Sequence, residues 1–123
     1  MKLHLANPRN SYTLTGYGTG YLAVNGIRYE HPLIVTPDAP PVPWLVATIS
    51  SLSAETTGLL LAESAEFVII GTGQTQIFPD PARLRPLIDA KIGLEIMNTP
   101  AACRTYNVLV GEGRRVLAAI FLP

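Results

Sequence analysis

Chemistry in this chain would gather in the stretch Thr99-Pro100-Ala101-Ala102-Cys103-Arg104-Thr105-Tyr106-Asn107. Thr99 suits a helix cap and Pro100 suits the first helical position, where no N–H is needed. The lone cysteine would then sit one turn inside the positive end of a helix, next to an arginine, a setting that lowers a thiol's pKa. Helical spacing argues the other way. At 100° per residue, Ala102, Cys103, Tyr106, Leu109 and Val110 share a face, Arg104 points elsewhere and Asn107 lies at the edge beside Cys103. On that face Cys103 is a small core hydrophobe. No His or Asp is placed by the sequence to activate it, which favours packing over catalysis.

Two further stretches could present chemistry beside it. Gly71-Thr72-Gly73 closes one apolar strand and Met97-Asn98-Thr99 closes the next, and open α/β sheets bind ligands beyond such carboxyl ends. If the two strands are neighbours, Gly71, Thr72, Gly73, Asn98, Thr99, Cys103 and Arg104 line one crevice, whose free N–H groups would suit an anion or carboxylate. It is no nucleotide site: Gln76 stands where a dinucleotide fingerprint needs its third glycine, and no Gly-Lys-Thr follows. Glu95 falls in the middle of a short apolar strand. If both faces are covered, its charge needs Arg104, Arg114 or Arg115 as a partner, and such a structural ion pair is favoured over a general base. Glu112 reads as a loop-level partner of Arg114. His4 and His31 have no companions at metal-ligand spacing, so neither a metal nor another cofactor is expected.

The elements that would position these residues follow in order. Residues 1–11 read as an extended arm. Tyr12-Thr13-Leu14-Thr15 and Tyr21-Leu22-Ala23-Val24 alternate in strand fashion around Gly16, Gly18 and Gly20, a spacing that suits a bulge or tight crossing better than a phosphate loop. Asn25-Gly26 ahead of Ile27-Arg28-Tyr29-Glu30 is a hairpin signal. Leu33-Ile34-Val35 is a third apolar run. Residues 37–43, rich in proline, read as a stiff surface connector without regular structure rather than a ligand for an aromatic groove, and Trp44 anchors the return. Leu45–Ile49 then reads as a strand, Ser53-Ala54-Glu55 as a helix start with Leu59, Leu60 and Ala62 on its apolar face, and Phe67–Ile70 as a strand covered on both sides. Asp80-Pro81 opens a helix carrying Leu84, Leu87, Ile88 and Ile92, delayed or kinked at Pro86 and stopped by Gly93. Leu94–Met97, the Thr99 helix and Val116–Leu122 complete the order.

This alternation predicts an α/β fold: one three-layer domain over 1–123, with a mixed, mostly parallel central sheet, helices on its faces and an N-terminal β-hairpin layer. The parts are a β-rich arm and hairpin (1–36), the connector (37–43) and an alternating core (44–123). Hydrophobic residues make up 48% and charged residues 15% of the 123, which suits elements with much buried surface. Nine basic and nine acidic side chains cancel, leaving no electrostatic footprint for nucleic acid. A single cysteine fits a reducing compartment, and Met1–Leu5 is too short for a signal peptide's apolar region. No apolar run approaches the ~18 residues of a spanning helix. The chain therefore reads as a cytoplasmic domain without stable membrane insertion.

Several strings resemble a known family: Thr15-Gly16-Tyr17-Gly18, Val24-Asn25-Gly26, Ile70-Gly71-Thr72-Gly73, Gly93-Leu94-Glu95-Ile96-Met97, Ala101-Ala102-Cys103-Arg104-Thr105-Tyr106-Asn107-Val108-Leu109 and Glu112-Gly113-Arg114-Arg115-Val116. The family is an uncharacterised-domain group whose named eukaryotic member is mitochondrial complex I assembly factor 3. The resemblance covers most of the chain, with residues 33–64 similar in general character only. It implies a three-layer fold with a mixed sheet and an extra β layer, no assigned reaction, and, for the mitochondrial relative, work alongside partner proteins. The chain resembles a short bacterial form. The expectation is a non-catalytic interaction or assembly module with protein partners, whose hairpin edges offer a route to a homo-oligomer. The alternative is a small-ligand-binding protein or thiol-dependent enzyme using the crevice at Gly71–Gly73 and Thr99–Arg104.

Overall fold

The computed structural model describes residues 11–123; the arm expected over 1–11, with His4, lies outside it apart from Ser11. Strands β1 (Leu14–Gly18), β2 (Tyr21–Val24) and β3 (Ile27–Tyr29) form an antiparallel sheet in that order. Asn25 and Gly26, with φ of 48° and 84°, make the tight turn between β2 and β3, where Val24 faces Ile27. Two successive positive φ values are what a type I′ turn demands, and these residue types tolerate them best. The register of β1 on β2 slips between Leu14 and Gly16, a bulge in the glycine-rich run.

A second sheet has five strands in the order β5-β4-β8-β6-β7, comprising β4 (Leu33–Thr36), β5 (Ala39–Pro43), β6 (Phe67–Gly71), β7 (Gly93–Met97) and β8 (Val116–Ile120). The pairs β6–β7 and β6–β8 are parallel, while β4 joins β8 and β5 antiparallel. The chain moves outward from β6 to β7, then back past β6 to β8. Crossovers of one hand must then lie on opposite faces. The first carries α2 (Arg85–Asp89) and the second α3 (Thr99–Gly111); α1 (Ala54–Gly58) packs on α2.

Every residue of β8 is buried, because both faces are covered. On one face Val116, Ala118 and Ile120 meet Leu14, Leu22, Val24 and, from α3, Ala102, Cys103, Tyr106 and Val110. On the other, Leu117, Ala119 and Phe121 meet Trp44, Val46, Leu52, Leu60, Leu84 and Leu87. The result is three layers: the small sheet with α3, the five-stranded sheet, and a layer of short helices and extended chain.

Five local expectations need correction. Residues 39–43 form a strand despite Pro40, Pro41 and Pro43. An edge strand needs only alternate N–H groups for its ladder, and the adjacent Pro40 and Pro41 fall where the register slips between Ile34 and Thr36, a bulge that leaves the ladder locally unpaired, so proline is tolerated there. Leu45–Ile49 is not a strand. Trp44 and Val46 point inward, Trp44 stacking on Phe121 at 4.5 Å between ring centroids, while Leu45 stands 91% exposed. The segment crosses the face of the sheet instead of pairing with it. Of the apolar face expected after Ser53, Leu60 is buried, while Leu59 and Ala62 face outward. Likewise Ile88 is exposed and only Leu84 and Leu87 of their helix are buried. Gly93 does not stop α2: Lys91 ends it at φ 59°, and Gly93 begins β7 beneath the Phe67 ring, which would clash with any Cβ there.

Candidate functional site

The parallel pairing of β6 with β7 does bring Gly71–Gly73 against the start of α3. Asn98, rather than Thr99, caps the helix, its Oδ1 accepting from the Ala101 N–H at 2.9 Å, and Pro100 lies within the first turn. Thr99 has a different task. Its hydroxyl donates to the Phe121 carbonyl at 2.6 Å and accepts from the Gly73 N–H at 2.9 Å, while its own N–H donates to the Gly73 carbonyl at 2.7 Å. The Thr72 N–H donates to the Met97 carbonyl, and the Phe121 N–H to the Gly71 carbonyl.

This network closes the expected anion crevice. An anion site at a helix start needs donors without partners. Here the N–H groups of Thr72, Gly73, Thr99 and Ala101 are all engaged, and Pro100 has none. Gly71, Thr72, Gly73, Asn98 and Thr99 therefore form a joint between β6, β8 and α3. A shallow cavity of about 290 Å³ lies beside Thr72, lined also by Pro32, Ala47, Thr48, Ile49, Phe121 and Leu122; Cys103 and Arg104 do not line it.

Cys103 is 2% exposed, inside the core beneath the small sheet. Burial pushes its thiol up to about 12, and the nearby Arg104 charge offsets only part of that rise. Burial therefore agrees with the favoured reading of Cys103 as a small core hydrophobe and goes against the alternative of a low-pKa thiol: desolvation outweighs the arginine. Arg104 faces outward and donates to the Tyr17 hydroxyl at 3.2 Å.

The remaining residues of the stretch tie α3 to the small sheet. The buried Tyr106 donates its hydroxyl to the Tyr12 carbonyl at 2.8 Å, and burial raises the phenol's pKa. Asn107 uses both ends of its amide on one residue: Oδ1 accepts from the Leu14 N–H at 2.9 Å, and Nδ2 donates to the Leu14 carbonyl at 2.7 Å. It stands in for a neighbouring strand. These contacts link residues 93 or 94 positions apart, so no local pattern in the sequence announces them.

The expected ion pair of Glu95 with Arg104, Arg114 or Arg115 does not form. The edge strand β7 leaves Glu95 exposed, so its charge stays in water. Arg114 pairs instead with Glu66, Nε to Oε1 at 2.8 Å, and its guanidinium lies 4.6 Å from the Phe67 ring centroid. This replaces the loop-level pairing of Arg114 with Glu112. The Arg115 backbone N–H also reaches Glu66 Oε1, at 3.2 Å. The Arg114 hydrogen bond first, and that N–H second, hold the Glu66 carboxyl below the usual carboxylate range. Sequence reasoning missed Glu66, whose signal was an acid directly ahead of an apolar strand. It also missed a cleft of about 600 Å³ at this opposite end of the sheet, walled by Asp38, Glu63, Glu112, Arg114 and Arg115 among others. Among the described residues, no three His, Cys, Asp or Glu side chains converge to hold a metal.

Three layers, a mixed sheet of five strands and a long helix locked to a separate three-stranded sheet define the class: a small layered α/β domain with a structural joint at the start of that helix. Over residues 14–121 the chain belongs to the family described as protein of unknown function (DUF498/DUF598). It is 32% identical over 112 residues to the NADH dehydrogenase [ubiquinone] 1 alpha subcomplex assembly factor 3 of Bos taurus, covering 89% of this chain and 60% of that protein. The chain thus spans about three-fifths of the assembly factor's length. It is 31% identical over 105 residues to a Francisella tularensis protein named 13 kDa major membrane protein, covering 85% of each. A crystal structure from Bordetella parapertussis superimposes with a TM-score of 0.86 at 36% identity, covering 92% of this chain and 97% of that one. Within the described residues no helix is long and apolar enough to cross a membrane.

Proposed function

We propose that this chain is a non-catalytic interaction module of the assembly-factor kind, working in the bacterial cytoplasm through contacts with other proteins. The observation that supports this most directly is how the residues of the 99–107 stretch are engaged. Cys103, Tyr106 and Asn107 are turned into the joint between α3 and the small sheet, and the donors around Thr99 are satisfied internally. What the chain presents outward includes large apolar side chains, among them Leu45, Leu59 and Phe78. Surface of that kind suits a protein partner. The bovine relative's name supplies the assembly role; the balanced charge argues against nucleic acid as the partner.

The reading is tested by in-cell cross-linking followed by affinity capture of this chain from its native host. A reproducible protein partner, lost when Leu45 and Phe78 are both changed to Glu in a variant that still unfolds cooperatively, is the expected result. A chain that stays monomeric and unaccompanied at its cellular concentration contradicts it.

A further inference from the structure

A module that works by contact needs a place where contact is specific, and the strand edges differ sharply in what they offer. Edge strand β5 carries Pro40, Pro41 and Pro43, which have no N–H to give. Edge strand β1 has its first residue taken at both N–H and carbonyl by Asn107. Edge strand β3 is only three residues long, with Arg28 paired to Glu30 at 3.5 Å just beyond it. Edge strand β7 has five residues and no proline.

The ladder on β7 shows which of its groups face away from the sheet. The Gly93 N–H reaches the Glu66 carbonyl and the Thr72 N–H reaches the Met97 carbonyl, so Gly93, Glu95 and Met97 direct their backbone groups toward β6. By alternation, Leu94 and Ile96 direct theirs outward. One of those outward groups already draws a donor: the Gln76 side-chain amide reaches across from a loop to the Ile96 carbonyl at 2.8 Å. The N–H groups of Leu94 and Ile96 have no partner among the described residues. Leu94 and Ile96 lie half-buried toward one face, while Glu95 stands exposed on the other, beyond the cover of α3.

We infer that β7 is the docking edge of this chain, where an extended segment of a partner protein adds a sixth strand and places a basic side chain opposite Glu95. The main-chain bonds would supply affinity and the alternating side chains selectivity. Charge decides between candidate occupants. A second copy pairing β7 with β7 about its centre would set Glu95 against Glu95, and like charges directly opposite are unfavourable. A strand with apolar residues on the Leu94 face and Lys or Arg facing Glu95 satisfies both faces. This inference rests on the interaction-module reading above.

The test uses the whole 15N-labelled chain and two blocked synthetic octapeptides of alternating Val and Thr, identical except for Lys or Glu at the centre. The Lys peptide is expected to shift the Leu94 and Ile96 amide resonances and slow their exchange, leaving β3 and β5 unmoved. The Glu peptide should bind about five-fold more weakly, and Glu95→Lys should reverse the preference. No response at Leu94 and Ile96 at millimolar Lys peptide, or a preference unaffected by Glu95→Lys, overturns the inference. Partner capture from the host separates this from the broader reading. If wild type and Glu95→Lys retain the same partners equally, the β7 edge is wrong and the module reading stands. If the Lys peptide docks at β7 while no partner is captured, the edge is right and the module reading falls.

Discussion

Replacing Asn107 with Ala removes the bridge between α3 and β1. Two hydrogen bonds end on the backbone of Leu14, a buried residue, at 2.9 and 2.7 Å. Each contributes about 0.5–1.5 kcal/mol net, and a buried group left without a partner costs about 1–3 kcal/mol. The expected loss is therefore about 2–4 kcal/mol, a large share of the roughly 5–15 kcal/mol that holds a domain together. With an unfolding entropy near 2.1 cal/mol/K per residue, a chain of 123 residues would melt about 8–15 °C lower. Urea unfolding followed by circular dichroism gives the free energy, and amide exchange gives its location. Protection should fall first in β1 and β2, with β6 and β8 still protected. Asn107→Asp sharpens the test, because it keeps an acceptor for the Leu14 N–H but turns a carboxylate oxygen on the Leu14 carbonyl. It should lose at least as much as the alanine variant. An Asn107→Ala protein within 0.5 kcal/mol of wild type, at an unchanged denaturant slope, would refute the joint.

Three further outcomes follow from the same geometry. Thr99→Val keeps the side-chain shape but strips the hydroxyl that serves Phe121 and Gly73, and should cost about 2–4 kcal/mol in urea unfolding, with Thr99→Ser recovering most of it. Gly93→Ala drives a methyl into the Phe67 ring, which in turn carries Arg114; a loss of about 1–3 kcal/mol is expected by thermal melting. Cys103 makes stability fall with rising alkali. Its folded pKa of about 12 lies above the unfolded value, so between roughly pH 9 and pH 12 only the unfolded chain ionises. Stability should drop by about 1.4 kcal/mol per pH unit from this group in that window, and be fully retained below it. Cys103→Ala should flatten the slope in urea melts at pH 9–11 while lowering stability slightly at pH 7 through the small cavity it leaves.

What could be read in advance was whatever is local. The Asn25-Gly26 turn, the doubly covered Phe67–Ile70 run, the delay of a helix at Pro86 and the buried face of α3 all depend on neighbours within a turn or a strand. The prolines at 40, 41 and 43 misled because their penalty depends on whether a strand sits at the sheet edge, which is a fact of topology. Glu95 misled for the same reason: the alternation of apolar residues around it is the same at an edge as at the centre. Leu45–Ile49 has strand-forming residues but lies across a face with no strand to pair with. Cys103 and Arg104 were adjacent in sequence and in character, yet one turns into the core and the other to Tyr17, so the chemistry suggested by their adjacency dissolves. The joint made by Tyr106 and Asn107 joins positions more than ninety residues apart. Only the assembled layers reveal it.

The account rests on the claim that residues 99–107 hold the fold together and do no thiol chemistry. The alkylation rate of Cys103 in the native chain, followed by mass spectrometry from pH 6 to pH 10, bears on that claim most directly. A thiol buried at 2% exposure should react only through opening of the protein, far more slowly than a free cysteine at every pH in this range, with any inflection at the free-thiol value of the opened chain and none below it. Rapid modification of the folded chain near neutral pH, with an inflection below the free-thiol value of about 8.5, would contradict it.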